Sequence, residues 1–144
     1  MQLGRHEAEL HLFDTAGQED FGRLRRVMYF GADICLLCFA IDNPDSMANI
    51  KTQWMPEIKE ECPKGKVILV GTKSDLAKDA AALQRLSKIG AEPVSEERGK
   101  QLAKKIGAYC YVECSAKTQE GVQDVFNATA KAMIKGKKNT CTIL

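Results

Sequence analysis

Asp14-Thr15-Ala16-Gly17-Gln18-Glu19-Asp20 follows a short run in which Ala8, Leu10 and Leu12 alternate with polar residues. That is the period of a strand with one buried face, expected over about Glu7 to Phe13 after a hairpin turn at Leu3-Gly4-Arg5. Asp14 then stands at a strand's carboxyl end, where a carboxylate can hold a magnesium ion, usually through water. Thr15 and Gly17 leave the backbone free to approach a phosphate, and Gln18 can orient a water. Read alone, Asp-x-x-Gly is equally a strand-to-loop turn with an acid for solubility. The weight comes from what surrounds it.

Phe21 to Tyr29, with Arg23, Arg25 and Arg26, is too irregular for a full helix and is expected as a mobile loop with one or two helical turns. Ile34 to Ile41 is wholly apolar, the pattern of a strand covered on both faces in a parallel sheet. Asn43 before Pro44 starts a helix. Met47, Ile50, Trp54 and Ile58 give it one apolar face, and Pro56 should kink or end it. Val67 to Val70 is a second buried strand. Asp79 to Ile89 is a short helix with Leu83, Leu86 and Ile89 on one side and Gly90 as its stop. Ser95 caps another helix, with Glu96 and Glu97 in its first turn and Gly107 after its end. Tyr109 to Glu113 is the third buried strand. Gly121 to Lys135 is a last helix, burying Val122, Val125, Phe126, Thr129, Met133 and Ile134. Strands alternating with amphipathic helices predict an α/β fold with a doubly wound, mainly parallel sheet.

The 144 residues suit one domain, and 44% hydrophobic content suffices for a core. A net charge of +2 predicts no nucleic-acid partner. The longest apolar run is far short of the roughly 20 residues of a membrane-spanning helix, and no signal peptide is expected. Cys35 and Cys38 lie three apart in a strand and face opposite ways, so they cannot share a metal. Cys110 and Cys114 share a face but stand about 13 Å apart, too far for one ion. Buried free thiols in a reducing cytosol are expected, and His6 and His11 are ordinary strand residues.

Each strand end carries a polar motif, and in such sheets ligands sit at the carboxyl ends of strands. Asp75, in Gly71-Thr72-Lys73-Ser74-Asp75, can accept two parallel hydrogen bonds from a purine with adjacent ring N–H and amino donors, which means guanine and not adenine. Lys73 offers an alkyl stem to lie along the base. The backbone N–H of Ala116, in Cys114-Ser115-Ala116-Lys117, can donate to guanine O6. Neither tripeptide signals anything by itself. Their order, each closing a strand, makes the constellation.

The heptad from Asp14 resembles the second switch of Ras-type GTPases. With Cys62-Pro63, Gly71 to Leu76, the extra helix at Asp79 to Ile89 and Glu113 to Thr118, the chain looks like the Rho branch from about Leu3 onward. The resemblance implies a guanine-nucleotide switch, binding and hydrolysing GTP with Mg2+ and serving cytoskeleton and polarity. Asp14 would hold the magnesium, Gly17 would contact the terminal phosphate, and Gln18 would place the attacking water. Thr72, Lys73, Asp75, Ser115, Ala116 and Lys117 would hold base and ribose. The family's usual Asn is Thr72 here, a change that Rac-like members share. Exchange factors, activating proteins and dissociation inhibitors are the implied partners.

Residues 1–135 then form a partial Rho-type GTPase domain with an insert helix at 79–90, and residues 136–144 a basic tail. Cys141-Thr142-Ile143-Leu144 fits a prenylation box whose terminal Leu favours geranylgeranyl. Lys131, Lys135, Lys137 and Lys138 precede it. One lipid chain binds a membrane marginally, and each nearby Lys adds about 1 kcal/mol toward an anionic leaflet. The expected place is the cytoplasmic face of membranes, chiefly the plasma membrane, in exchange with cytosol.

A phosphate-binding loop needs Gly-x-x-x-x-Gly-Lys-Ser/Thr. Gly65-Lys66, Gly99-Lys100 and Gly136-Lys137 all lack the earlier glycine and the following hydroxyl. Against the family pattern the first strand, that loop, the first helix, the first switch and most of the second strand are not among these residues. By themselves they are expected neither to bind GTP measurably nor to form a stable monomer. Three readings stand: a Rho-type GTPase represented by an incomplete chain, a membrane-tethered interaction module that keeps the second switch without hydrolysis, and an unrelated α/β domain.

Overall fold

The computed structural model describes residues 2–3, 6–7, 9–15, 17 and 21–134, with backbone alone at 2, 3, 6 and 7. Strand β1 (Gln2–Leu3) pairs antiparallel with β2 (His6–Glu7), Gln2 opposite Glu7 and Leu3 opposite His6. This pairing fits the expected hairpin; Gly4 and Arg5 lie outside the described residues. The strand expected to run on to Phe13 does not form. Residues 9–15 have no regular structure, and Leu12 and Phe13 are 64% and 68% exposed. A two-stranded hairpin is marginal in water, and without a further strand beside it the alternating residues have no face to bury. His11 accordingly sits in an exposed segment, 3.4 Å from Glu9, and not in a strand.

Helix α1 (Gly22–Tyr29) supplies about two helical turns, the upper end of what was expected there, and fills most of the segment. The main sheet is parallel in the order β3-β4-β5, formed by β3 (Ile34–Ala40), β4 (Lys66–Thr72) and β5 (Cys110–Glu113). Its register runs from Ile34 opposite Lys66 to Ala40 opposite Thr72, and from Ile68 opposite Cys110 to Gly71 opposite Glu113. Between β3 and β4 lie α2 (Pro44–Asn49), a π-helical turn (Ile50–Trp54) and α3 (Met55–Glu61). Asn43 Oδ1 accepts from the Ser46 N–H at 3.1 Å, the expected cap. Pro56 cannot donate back to the preceding turn, and the wider π turn falls just before it.

A 3-10 turn (Ser74–Lys78) leads into α4 (Ala80–Lys88), capped by Asp79 Oδ1 on the Ala82 N–H at 2.8 Å. Its buried face is Ala82 and Leu86, four apart. Leu83 and Ile89, expected beside Leu86, are 41% and 75% exposed. Helix α5 (Glu96–Ile106) begins at the Ser95 cap and ends at Gly107, whose φ of 74° suits glycine. Helix α6 (Val122–Ile134) buries Val125, Thr129 and Ala132 at i, i+4 and i+7. Val122, Phe126 and Met133 are half-buried, and Ile134 is exposed, contrary to expectation.

Two cores flank the sheet. On one face Cys35, Leu37, Phe39 and Ile41 join Val67 and Leu69 under Ile50, Ile58 and Leu102, from the helices before and after β4. On the other, Ile68 and Val70 pack with Val125 and Ala132 of α6. The sheet is therefore wound on both sides, as expected. Cys35 and Cys62 are buried free thiols, and burial beside Cys62 pushes the Cys35 thiol up to about 12. Cys38 points to the opposite face and is exposed, so burial does not extend to every thiol.

Candidate functional site

The carboxyl ends of β4 and β5 are laced together past the ladder. Cys114 N–H donates to Gly71 O at 2.8 Å and Ser74 N–H to Cys114 O at 3.1 Å. Thr72 closes the other side, its hydroxyl donating to Phe39 O at 3.0 Å while its carbonyl accepts from Ile41 N–H at 3.0 Å. Lys73 takes a left-handed backbone, φ 59° and ψ 40°, which turns the chain sharply into the 3-10 turn bearing Asp75. A non-glycine residue there is held by its surroundings against a conformational cost of about 1–2 kcal/mol.

Ser115 is fully buried and links the two loops. Its hydroxyl donates to Asp75 Oδ1 at 2.6 Å and accepts from the Thr118 N–H at 3.2 Å. Its own N–H donates to Glu120 O at 2.9 Å. The loop can fold back this tightly because Gly121 has φ 70°; a Cβ there would lie 2.2 Å from Glu113 O. Lys117 Nζ stands 3.9 Å from Asp75 Oδ2, an ion-pair distance too long for a hydrogen bond. Asp75 is thus fixed through one oxygen, with the other turned toward the loop mouth. Ala116 is exposed beside it, its carbonyl accepting from Gln119 Nε2 at 2.6 Å. Thr72, Lys73, Asp75, Ser115, Ala116 and Lys117 are therefore brought together.

The residues of the opening stretch are placed differently. Asp14 and Gly17 are both exposed, and among the described residues no hydrogen bond or ion pair joins them to the loops above. Gln18 lies outside the described residues, as do Cys141, Lys135, Lys137 and Lys138; Lys131 is exposed on α6. A Cβ on Gly17 would meet Trp54 at 3.9 Å, ordinary contact, so nothing among the described residues around it requires a glycine. No group of three His, Cys, Asp or Glu able to hold a metal occurs among the described residues. Magnesium ordinarily keeps several waters and takes one or two carboxylates plus phosphate oxygens, so Asp14 alone is a compatible protein contribution.

One cluster escapes a reading of the sequence. Arg25, 6% exposed, donates from Nε and Nη2 to Glu57 at 2.6 and 3.1 Å, and its guanidinium lies 5.0 Å from the Trp54 ring centroid. Tyr29 adds its hydroxyl to Glu57 Oε1 at 2.8 Å, and Arg26 pairs with Glu61 at 2.9 Å. The Arg25 bond holds the Glu57 carboxyl below the usual range, while burial and the Glu57 bond push the Tyr29 phenol up. These pairs dock α1 on α3 and give the helical turns a surface to pack on. The available signal was two matched i, i+4 spacings, Arg25 with Tyr29 and Glu57 with Glu61.

The Ras family model matches residues 1–135 of the 144. With a parallel sheet wound on both faces and polar loops gathered at its strand ends, the chain belongs to the Ras family.

Proposed function

We propose that this chain is part of a Rho-like guanine-nucleotide switch whose base-reading centre is Asp75. Ras-family GTPases bind GTP or GDP with magnesium and act as signalling switches. The observation that carries the reading is the carboxylate of Asp75, oriented by Ser115 at 2.6 Å, with its second oxygen 3.9 Å from the Lys117 ammonium. Each carboxylate oxygen has two lone pairs, so Asp75 can still accept the ring N–H and amino group of guanine. The Lys73 stem lies along the base and the Ala116 N–H takes the carbonyl. Asp14 would hold magnesium, Gly17 would meet the terminal phosphate, and Gln18 would orient the attacking water. When bound, the nucleotide supplies the phosphoanhydride bond and magnesium neutralises its charge.

Resemblance to the Rho branch supports the finer assignment, through Cys62-Pro63, the Thr72 loop and helix α4, and brings cytoskeletal signalling and the usual regulators as its expected context. The alternative reading is a membrane-tethered interaction module that keeps the second switch but binds no nucleotide, and it predicts that neither diphosphate competes. The test of the base centre is competition between guanosine and xanthosine diphosphates on the full-length protein, wild type and Asp75→Asn. An Asn presents a donor where guanine also donates, and an unpaired buried donor costs about 1–3 kcal/mol. Guanosine should weaken roughly ten- to a hundredfold relative to xanthosine. Equal preference in both proteins would remove Asp75 from the role.

Cys141 with Lys131, Lys135, Lys137 and Lys138 makes the proposed reversible anchor at the cytoplasmic face of the plasma membrane. Cys141→Ser should move the protein from the membrane to the soluble fraction without altering its fold. Equal membrane fractions would show the box unused.

A further inference from the structure

Asp42 lies just beyond β3, at the same strand-end level as Lys73, and its side chain is only 11% exposed. Its two oxygens face two cations from different elements. Oδ2 accepts from Arg85 Nη2 of α4 at 2.9 Å, whereas Oδ1 has no hydrogen-bond donor among the described residues and stands 3.5 Å from Lys73 Nζ. The arrangement is unequal: Arg85 holds the carboxylate firmly, and Lys73 holds it loosely through the oxygen that is otherwise unmet. The three side chains line one open pocket of about 450 Å³, so Lys73 and Arg85 are both reachable from solvent at 58% and 62% exposure.

We propose that Asp42 is a positioning residue for Lys73, shared with Arg85, so that helix α4 regulates the base-reading loop. This rests on the reading of Lys73 and Asp75 as base contacts. The physical content is competition for one carboxylate. While Arg85 occupies Oδ2, the pull on the Lys73 ammonium is weakened and its stem stays free to lie along a base. When Arg85 is drawn off by a substitution or by an anionic partner on α4, the whole carboxylate charge acts on Lys73 and pulls its tip toward Asp42. Lys73 is also the residue with the left-handed backbone, so its side-chain root is fixed and only the tip can respond.

The test reads how firmly the Lys73 amine is held, by its rate of acylation under trace labelling of the full-length protein with acetic anhydride. A partly exposed ion pair changes such an occupancy by about two- to fivefold. Asp42→Asn should speed labelling of Lys73 by about that factor. Arg85→Ala, at an exposed residue that does not touch Lys73, should slow it. Arg85→Lys, which keeps the charge, should restore the wild-type rate, and Arg85→Ala in the Asp42→Asn background should change nothing. A purely structural role of Arg85 predicts no change or faster labelling of Lys73. An unchanged Lys73 rate in Arg85→Ala, or the same effect with and without Asp42, overturns the proposal. Lys66, whose amine donates to Ala132 O in the folded chain, reports unfolding in the same samples. Guanosine diphosphate, added as a separate arm, should protect Lys73 in the wild type. Its failure to do so counts against the base reading and leaves the coupling among Asp42, Lys73 and Arg85 to be judged by the substitutions.

Discussion

Residues 34–134 and the residues before them are built on opposite terms. In the first region every strand is paired along its length, both faces of the central strand β4 are covered, and the loops at the strand ends are tied to each other. In the second, a two-residue ladder and a two-turn helix are the regular elements among the described residues. Of the eleven large apolar side chains exposed among the described residues, seven lie between Leu12 and Phe30. Helix α1 even reverses the usual arrangement, with Arg25 inside and Leu24 and Val27 outside at 58% and 68% exposure. The first region is held by apolar burial and the second by a few charged contacts. The two should therefore answer differently to mutation, pH and salt.

The largest contrast is between Ile68→Ala and Phe13→Ser. Ile68 is fully buried between β4 and α6, and truncating it removes transfer energy and leaves a cavity, about 2–5 kcal/mol. Phe13 is 68% exposed, so its replacement should stay within about 0.5 kcal/mol. Denaturant titration of the two variants of the full-length protein checks this. Comparable losses would mean that Phe13 packs against something and that the comparison is drawn in the wrong place.

Glu57→Gln comes next. It removes the Glu57 charge from a covered Arg25, and breaking a deeply buried pair costs about 3–5 kcal/mol. Arg25 sits on a two-turn helix at the rim of the fold and Glu57 is 17% exposed, so about 1–3 kcal/mol is expected. The loss should be local: amides of α1 should exchange faster while those of β4 keep their protection. The pH dependence follows in sign. The Glu57 carboxyl is held below its unfolded value of about 4.3, so its contribution is present above that pH and is lost as pH falls through the lower, folded value. Acidification from about pH 4.3 should loosen α1 in the wild type and have less effect in Glu57→Gln. Equal acid sensitivity would assign the docking to the apolar part of Trp54.

What could be read from the sequence follows the same division. The caps at Asn43 and Ser95 and the stop at Gly107 were legible because each is settled within one turn of chain. Strands β3 and β4 were legible as long apolar runs; β5 was found as a strand, but it is half-buried along its length and Tyr109 before it is 39% exposed, so the burial expected there is not met. The gathering of Asp75, Ser115 and Lys117 followed from parallel strands delivering their loops to one end. The strand from Glu7 to Phe13 failed because its alternation is only half of a contact, and among the described residues no strand lies beside residues 9–13 to complete it. Arg25 failed because its partner is 32 residues away and its charge argued for solvent. Asp42 was not legible because its two cations come from segments 31 and 43 positions later, a link that only the assembled sheet creates.

The smallest expected effect sharpens the comparison most. Gly17 is exposed with an ordinary backbone, and a Cβ on it would touch, among the described residues, only Trp54, at 3.9 Å. If glycine is needed there for folding, Gly17→Ala should destabilise, as it would at Gly121, where a Cβ would run into the backbone at 2.2 Å. If it is needed for close approach of a phosphate, the substitution should leave stability unchanged or raise it by a few tenths of a kcal/mol, since alanine narrows the unfolded ensemble. The second outcome is expected. Nucleoside triphosphate binding should then weaken in Gly17→Ala while diphosphate binding, which makes no use of a terminal phosphate, stays the same. Thermal unfolding of wild type and variant, followed by competition between GTP and GDP on the full-length protein, separates these cases. Equal loss of both nucleotides at unchanged stability would move Gly17 away from the terminal phosphate, and a fall in stability would show that the exposed stretch after Asp14 packs in a way its burial does not reveal.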